Sequence, residues 1–148
     1  VNIIYRIDPK HENISRSREL KQITRWFVVL LAVMVQLVIV LSGIGMEINV
    51  GSVISIPIAL MFVAAGNYLP KCKQNYTMGI KLPWTLADED NWNRTHRLAG
   101  YVWTAGGILM LIMGFFHLAY LFFLVFMAMV LIPSVYSYLI YRKKLKGI

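Results

Sequence analysis

Apolar positions in this chain gather into four long runs separated by short polar stretches and one long one. The runs cover residues 26–44, 51–69, 98–116 and 118–141. A helix needs about 20 apolar residues to cross the hydrocarbon layer of a bilayer. The pattern therefore predicts an all-α, polytopic membrane helical bundle with four spans in this chain. A charged N-terminal segment, 1–25, precedes a membrane domain over 26–148, and one long loop covers 70–97. Spans three and four are joined by only a few residues, so they should form an antiparallel hairpin.

Local signals refine the elements. Asp8-Pro9 ends whatever precedes it, because the residue before proline is pushed away from helix. A helix starting within 15–25 should run straight into the first span. Pro57 predicts a kink in the second span, with the freed carbonyls satisfied by neighbours. In the long loop, Thr85-Leu86-Ala87-Asp88 resembles a capping box with Thr85 as the cap. Asp88, Glu89 and Asp90 then add first-turn charge that suits the helix dipole. With no proline following, a helix from Leu86 should continue unbroken into the third span. There Gly100, Gly107 and Gly114 recur every seven residues with Gly106 beside them. That spacing predicts a smooth stripe for close helix packing.

Composition and charge then fix the class and the orientation. The chain is 58% hydrophobic with a mean hydropathy of +0.61, too apolar for a soluble domain of this size. A net charge of +8 suggests nucleic acid until the 15 Lys and Arg are placed. Arg6, Lys10, Arg16, Arg18, Lys21 and Arg25 precede the first span. Lys71, Lys73, Lys81, Arg94 and Arg97 lie in the long loop, and Arg142, Lys143, Lys144 and Lys146 follow the last span. The turns after spans one and three carry none. The positive-inside rule places both ends of this chain and the long loop in the cytoplasm of a cell membrane. Basicity is thus topological, the expected partners include membrane lipids, and direct nucleic-acid binding is not expected. Trp26, Tyr68, Trp103, Tyr136, Tyr138 and Tyr141 cluster toward the inner interface, and Tyr120 toward the outer one, as amphipathic rings do. The lone Cys72 cannot form an intrachain disulfide. The first span lacks the short core and cleavage site of a signal peptide. Residues 1–5 resemble the tail of an earlier apolar segment, so an upstream part is expected.

Candidate chemistry is sparse within the spans. No ionisable residue sits in the middle of a span, which disfavours a proton relay or ion pathway. Gln36, near the centre of the first span, is expected to hydrogen-bond another helix. His11, His96 and His117 are scattered and, with Cys72, show no metal-ligand spacing. Nothing resembles a nucleophile elbow, a phosphate loop or a dinucleotide fingerprint, so no catalytic residue, metal or cofactor is expected. One region is denser than lipid anchoring requires. Asn67, Tyr68, Pro70, Lys71, Asn75, Tyr76, Gly79, Lys81, Pro83, Trp84, Thr85, Trp92, Thr95, His96, Arg97 and Gly100 converge where two helices enter the membrane. Trp92, Thr95 and His96 share a helix face. Two readings stand side by side: a recognition site, or indoles and basic side chains anchored at the lipid interface.

Residues 66–100 closely resemble the signature of the SdpI family. The matching segments are G-N-Y-x-P-K at 66–71, N-Y-x-x-G-I-K at 75–81, P-W-T-L at 83–86 and W-x-x-T-H-R-x-x-G at 92–100. Leu82 stands where the family commonly has Thr, and Lys81 replaces a frequent Arg. Ile7-Asp8-Pro9-Lys10 with Glu12-Asn13 looks like the segment after the second span of the family's N-terminal module. The resemblance therefore implies two further upstream spans, six in the complete protein. It also implies immunity against a secreted antimicrobial peptide toxin, and signalling by holding a cytoplasmic repressor at the membrane. The alternative is a membrane enzyme or lipid-head-group-binding protein, with Lys81, Arg94, His96 and Arg97 around a phosphate.

Overall fold

The computed structural model describes residues 18–147. Residues 1–17, with Asp8-Pro9, His11 and most of the N-terminal segment, lie outside them. Five α-helices follow in order: α1 (Arg18–Gly43), α2 (Val50–Tyr68), α3 (Pro83–Ala87), α4 (Glu89–Phe115) and α5 (Ala119–Leu145). A 3-10 turn, Leu69–Lys71, extends α2, and there is no strand among the described residues. Four stretches are long and apolar enough to cross a membrane: Lys21–Gly43, Val53–Lys71, Glu89–Phe115 and Ala119–Leu145.

Helix α4 is the centre of the bundle, with α2 on one side and α5 on the other. The glycine stripe explains how closely α2 approaches. A Cβ on Gly107 would lie 2.8 Å from Val63 Cγ2 and 2.9 Å from the Val63 nitrogen. One on Gly100 would lie 2.5 Å from Pro70 Cγ, and one on Gly114 would lie 2.5 Å from Ser55 Oγ. From the other side, a Cβ on Gly66 would come within 2.6 Å of the Thr104 nitrogen. Backbone therefore meets backbone along the crossing, which maximises dispersion contact where no hydrophobic driving force acts between helices. Gly106 does not belong to this face. Its missing side chain makes room for Met129 of α5, because successive helix positions are rotated by about 100°.

Ala59, Phe62, Met110 and Met129 form the buried centre. Phe62 meets Trp103 and Phe126 edge-on at 5.1 and 5.7 Å. Pro57 and Pro133 lie inside α2 and α5 without ending them. Pro133 has no N–H to offer the Met129 carbonyl four residues earlier. The Trp103 indole donates to that carbonyl instead, at 3.0 Å. Trp103 is thus a packed, half-buried partner of α5, where interfacial placement was expected.

Three further expectations are corrected. The helix from Leu86 does not continue unbroken, because Asp88 is extended (φ −138°, ψ 113°) and separates α3 from α4. Its carboxylate accepts the Asp90 N–H at 3.0 Å, making it the N-cap of α4. A short Asp side chain that bonds the backbone two residues on competes with helix continuation. Thr85 is consequently not a cap. It lies in the first turn of α3, which is opened by Pro83 after Leu82. Gln36 is exposed on α1 and bonds nothing among the described residues. Helix α1 packs chiefly on α2, and Val38 is its one buried residue over 21–43.

Candidate functional site

The loop between the 3-10 turn and α3 folds under the first turns of α4, and polar side chains hold it there. Trp92 is completely buried, and its indole N–H donates to the Cys72 carbonyl at 2.8 Å. The ring stacks on His96 with centroids 4.0 Å apart. Gly79 closes over this stack with φ +99°. A Cβ there would collide with His96 Nε2 and lie 3.0 Å from two Trp92 ring carbons, so both backbone conformation and space call for glycine. The next residue completes the latch: the Ile80 N–H donates to His96 Nε2 at 2.9 Å. His96 Nδ1 lies 2.9 Å from the Trp92 carbonyl, which only accepts. These two partners define the neutral tautomer protonated on Nδ1.

Asn75 shapes the loop from within. Its Oδ1 accepts the N–H groups of Thr77 at 2.9 Å and Met78 at 2.6 Å, and its Nδ2 donates to the Lys73 carbonyl at 2.8 Å. Gln74 ties the loop to α3 by donating to the Thr85 and Leu86 carbonyls at 2.8 and 3.0 Å. The Thr85 hydroxyl accepts the Leu82 N–H at 2.9 Å and directs its proton to the Ile80 or Leu82 carbonyl.

A second cluster joins this assembly to α5. Asn91 Oδ1 accepts the hydroxyls of Thr95 and Ser137, each at 3.0 Å, while its Nδ2 donates to the Ser137 carbonyl at 3.1 Å. Ser137 Oγ in turn accepts the Trp84 indole N–H at 2.7 Å. The Trp84 ring lies against Tyr138 and Tyr141 at 5.5 and 5.8 Å. At the rim, Lys144 bonds Asp88 at 2.6 Å and Asp90 at 2.8 Å. Partial burial alone would raise the Asp88 carboxyl. The Lys144 ammonium and the N–H groups of Asn91 and Asp90 outweigh it and hold the group below the usual aspartate range. No buried side-chain nitrogen or oxygen among the described residues lacks a partner.

Thus Asn75, Gly79, Trp84, Thr85, Trp92, Thr95 and His96 are brought together, as the sequence suggested. Pro70 and Gly100 belong to the α2–α4 crossing, and Pro83 starts α3. Asn67, Tyr76, Lys81 and Arg97 point outward. Lys71 lies 4.8 Å over the Tyr68 ring, and Lys81 donates to the Thr77 carbonyl at 3.3 Å. The phosphate cradle of Lys81, Arg94, His96 and Arg97 lacks its imidazole. Both His96 nitrogens are used inside, and Arg94 pairs with Asp90 at 2.9 Å. Gln74, Asn91 and Ser137 were missed. Asn91 shares the Thr95 face at a spacing of four, a readable signal; Ser137 comes from another helix and carries none. No group of three His, Cys, Asp or Glu residues could hold a metal among the described residues.

Fold and loop together define a multi-pass, all-helical membrane protein with one closely hydrogen-bonded loop. Residues 71–137 match the model of the SdpI/YfhL protein family. Immunity protein SdpI of Bacillus subtilis (strain 168) is 31% identical over 121 residues, which is 80% of this chain and 58% of that protein. The chain belongs to the SdpI family, and spans 58% of the length of the curated relative it matches. No solved structure matches it significantly. The matched region contains both hydrogen-bonded clusters, from Cys72 to Ser137.

Proposed function

We propose that this chain is a membrane immunity protein that protects its cell against a secreted antimicrobial peptide. The observation that carries the reading is the 31% identity with Immunity protein SdpI. We assign both ends of the chain and the loop to the cytoplasm, supported by the exclusion of Lys and Arg from the other two turns. The motif then divides its labour. Trp92, His96, Thr85 and Asn75 hold the loop in shape, while Tyr76 and Lys81 of the loop, Asn67 of α2 and Arg97 of α4 are exposed and offer an outward face. That face is where a cytoplasmic repressor would be held during signalling. The lipid-head-group alternative is weakened, since both His96 nitrogens are bonded within the protein and Arg94 is paired with Asp90.

A peptide-sensitive strain expressing the chain tests the reading, with membrane abundance measured in parallel. Wild-type chain restores survival, and Lys81→Gln with Arg97→Gln abolishes signalling at normal abundance. Failure of the wild-type chain to protect overturns the immunity reading. Normal signalling by the double variant returns the outward residues to lipid anchoring. Orientation is read separately with impermeant thiol reagents, which should label Asn49→Cys and His117→Cys in intact cells but not Lys81→Cys. The reverse pattern inverts the topology. Native Cys72 is buried and is no probe.

A further inference from the structure

The four basic residues ending α5 do not share one role. Lys144 turns toward the loop and is neutralised by Asp88 and Asp90. The side chains of Arg142, Lys143 and Lys146 are exposed and have no ion-pair or hydrogen-bond partner among the described residues. With Tyr136, Leu139 and Ile140 they line a depression of about 420 Å³ along the flank of α5. Spacings of three and four residues stack these six side chains into one stripe. Its lower half is aromatic and aliphatic, continuous with the span, and its upper half carries three uncompensated cations.

Cations in a last helical turn complement the dipole wherever they point. That accounts for their presence, and not for three of them sharing one stripe with Tyr136, Leu139 and Ile140. A free anion would use the cations and leave the apolar floor uncovered. A molecule with a phosphate above and a hydrocarbon chain below matches both halves, and long basic side chains reach up to such a head group from within the interface.

We propose that this stripe seats one anionic phospholipid. Its phosphate is held among Arg142, Lys143 and Lys146, and an acyl chain lies on Leu139 and Ile140 beside the Tyr136 ring. The assignment is independent of the immunity reading and of the loop's outward face.

The test uses the full chain purified in mild detergent and offered equal phosphatidylglycerol and phosphatidylethanolamine, with bound lipid counted by native mass spectrometry. Wild-type chain retains one phosphatidylglycerol in preference to phosphatidylethanolamine. Each cation near an anionic lipid is worth roughly fivefold, so replacing all three (Arg142→Gln, Lys143→Gln, Lys146→Gln) lowers retention on the order of a hundredfold. Removing the same charge from the loop (Lys71→Gln, Lys73→Gln, Lys81→Gln) leaves retention unchanged. Leu139→Gln keeps every cation and weakens retention, which also reads the site should the triple variant unfold. Equal loss in both triple variants, undiminished retention in the α5 variant, or undiminished retention in Leu139→Gln overturns the proposal. So does displacement of the lipid by millimolar inorganic phosphate, which would mark a site for the free anion.

Discussion

The two ends of the bundle are built on opposite principles. At the loop end, buried polar side chains from α3, α4, α5 and the loop satisfy one another, and Trp92, Asn75, Asn91, Thr85 and Thr95 are fully buried. At the other end, the start of α2 and the α4–α5 turn leave a cavity of about 470 Å³ lined by Ile54, Ile58, Met113, Phe122 and neighbours. There His117 adopts φ +57°, a left-handed conformation uncommon for a residue with a side chain. Asn49 and His117 meet across the rim at 3.4 Å. Long-range side-chain hydrogen bonds draw the loop end tight. Short turns at the far end join helices without supplying atoms to fill the space between them. The loop end should therefore respond to every change of volume or donor, and the far end should absorb them.

Truncating the ring at the centre of the tight end gives the largest effect. Trp92→Ala should cost about 3–5 kcal/mol, read as a lowered thermal midpoint in detergent. Phe122→Ala, beside the existing cavity, should cost clearly less. Equal losses would erase the distinction between the ends.

A matched pair of glycines comes next. Gly79 and Gly45 have φ of +99° and +86°, so alanine is strained at both by about 1–2 kcal/mol. Only at Gly79 does the new Cβ meet other atoms; at Gly45 nothing lies within 4 Å. Gly79→Ala should lower the midpoint further than Gly45→Ala, and coincident curves would mean that the loop yields as easily as the far turn.

Filling the cavity is a smaller perturbation. Ala119→Leu adds volume beside empty space and should leave stability within about 1 kcal/mol of wild type or raise it. A marked loss would show the far end to be as closely fitted as the loop.

The smallest effect is set by pH. The folded state holds the Asp88 carboxyl below its ordinary value. Its contribution is fully present above the unfolded-state pKa and is lost as pH falls through the folded one. Wild-type stability should therefore decline in that acidic window more than that of Asp88→Asn, and parallel pH profiles would remove the Lys144–Asp88 tie from the account.

Much of the fold is legible in the chain because the bilayer imposes a simple rule. Span length follows from hydrocarbon thickness, and glycines seven apart must share a helix face, so four spans and a close-packing stripe on α4 can be read directly, while its partner α2 cannot. The site is half legible. Trp92, Thr95 and His96 are linked by helical spacing, and that face is indeed buried. Asn91 with Ser137 is invisible to such reasoning, because the partners lie 46 residues apart on different helices. The break at Asp88 escaped for a similar reason. Helix continuation and capping are both open to an Asp, and contact with Lys144 of α5 favours the extended conformation seen here.

By itself the sequence determined the helical class, the number of spans and the residues able to lie close together, since these depend on hydropathy and on periods within one element. Only the tertiary structure decided which polar groups turn inward and which stay exposed. A buried donor or acceptor needs a partner, and that partner is supplied by whichever element happens to pack against it. Trp92 and His96 became the loop's support and Lys81 and Arg97 its surface for that reason, although all four stand in the same motif.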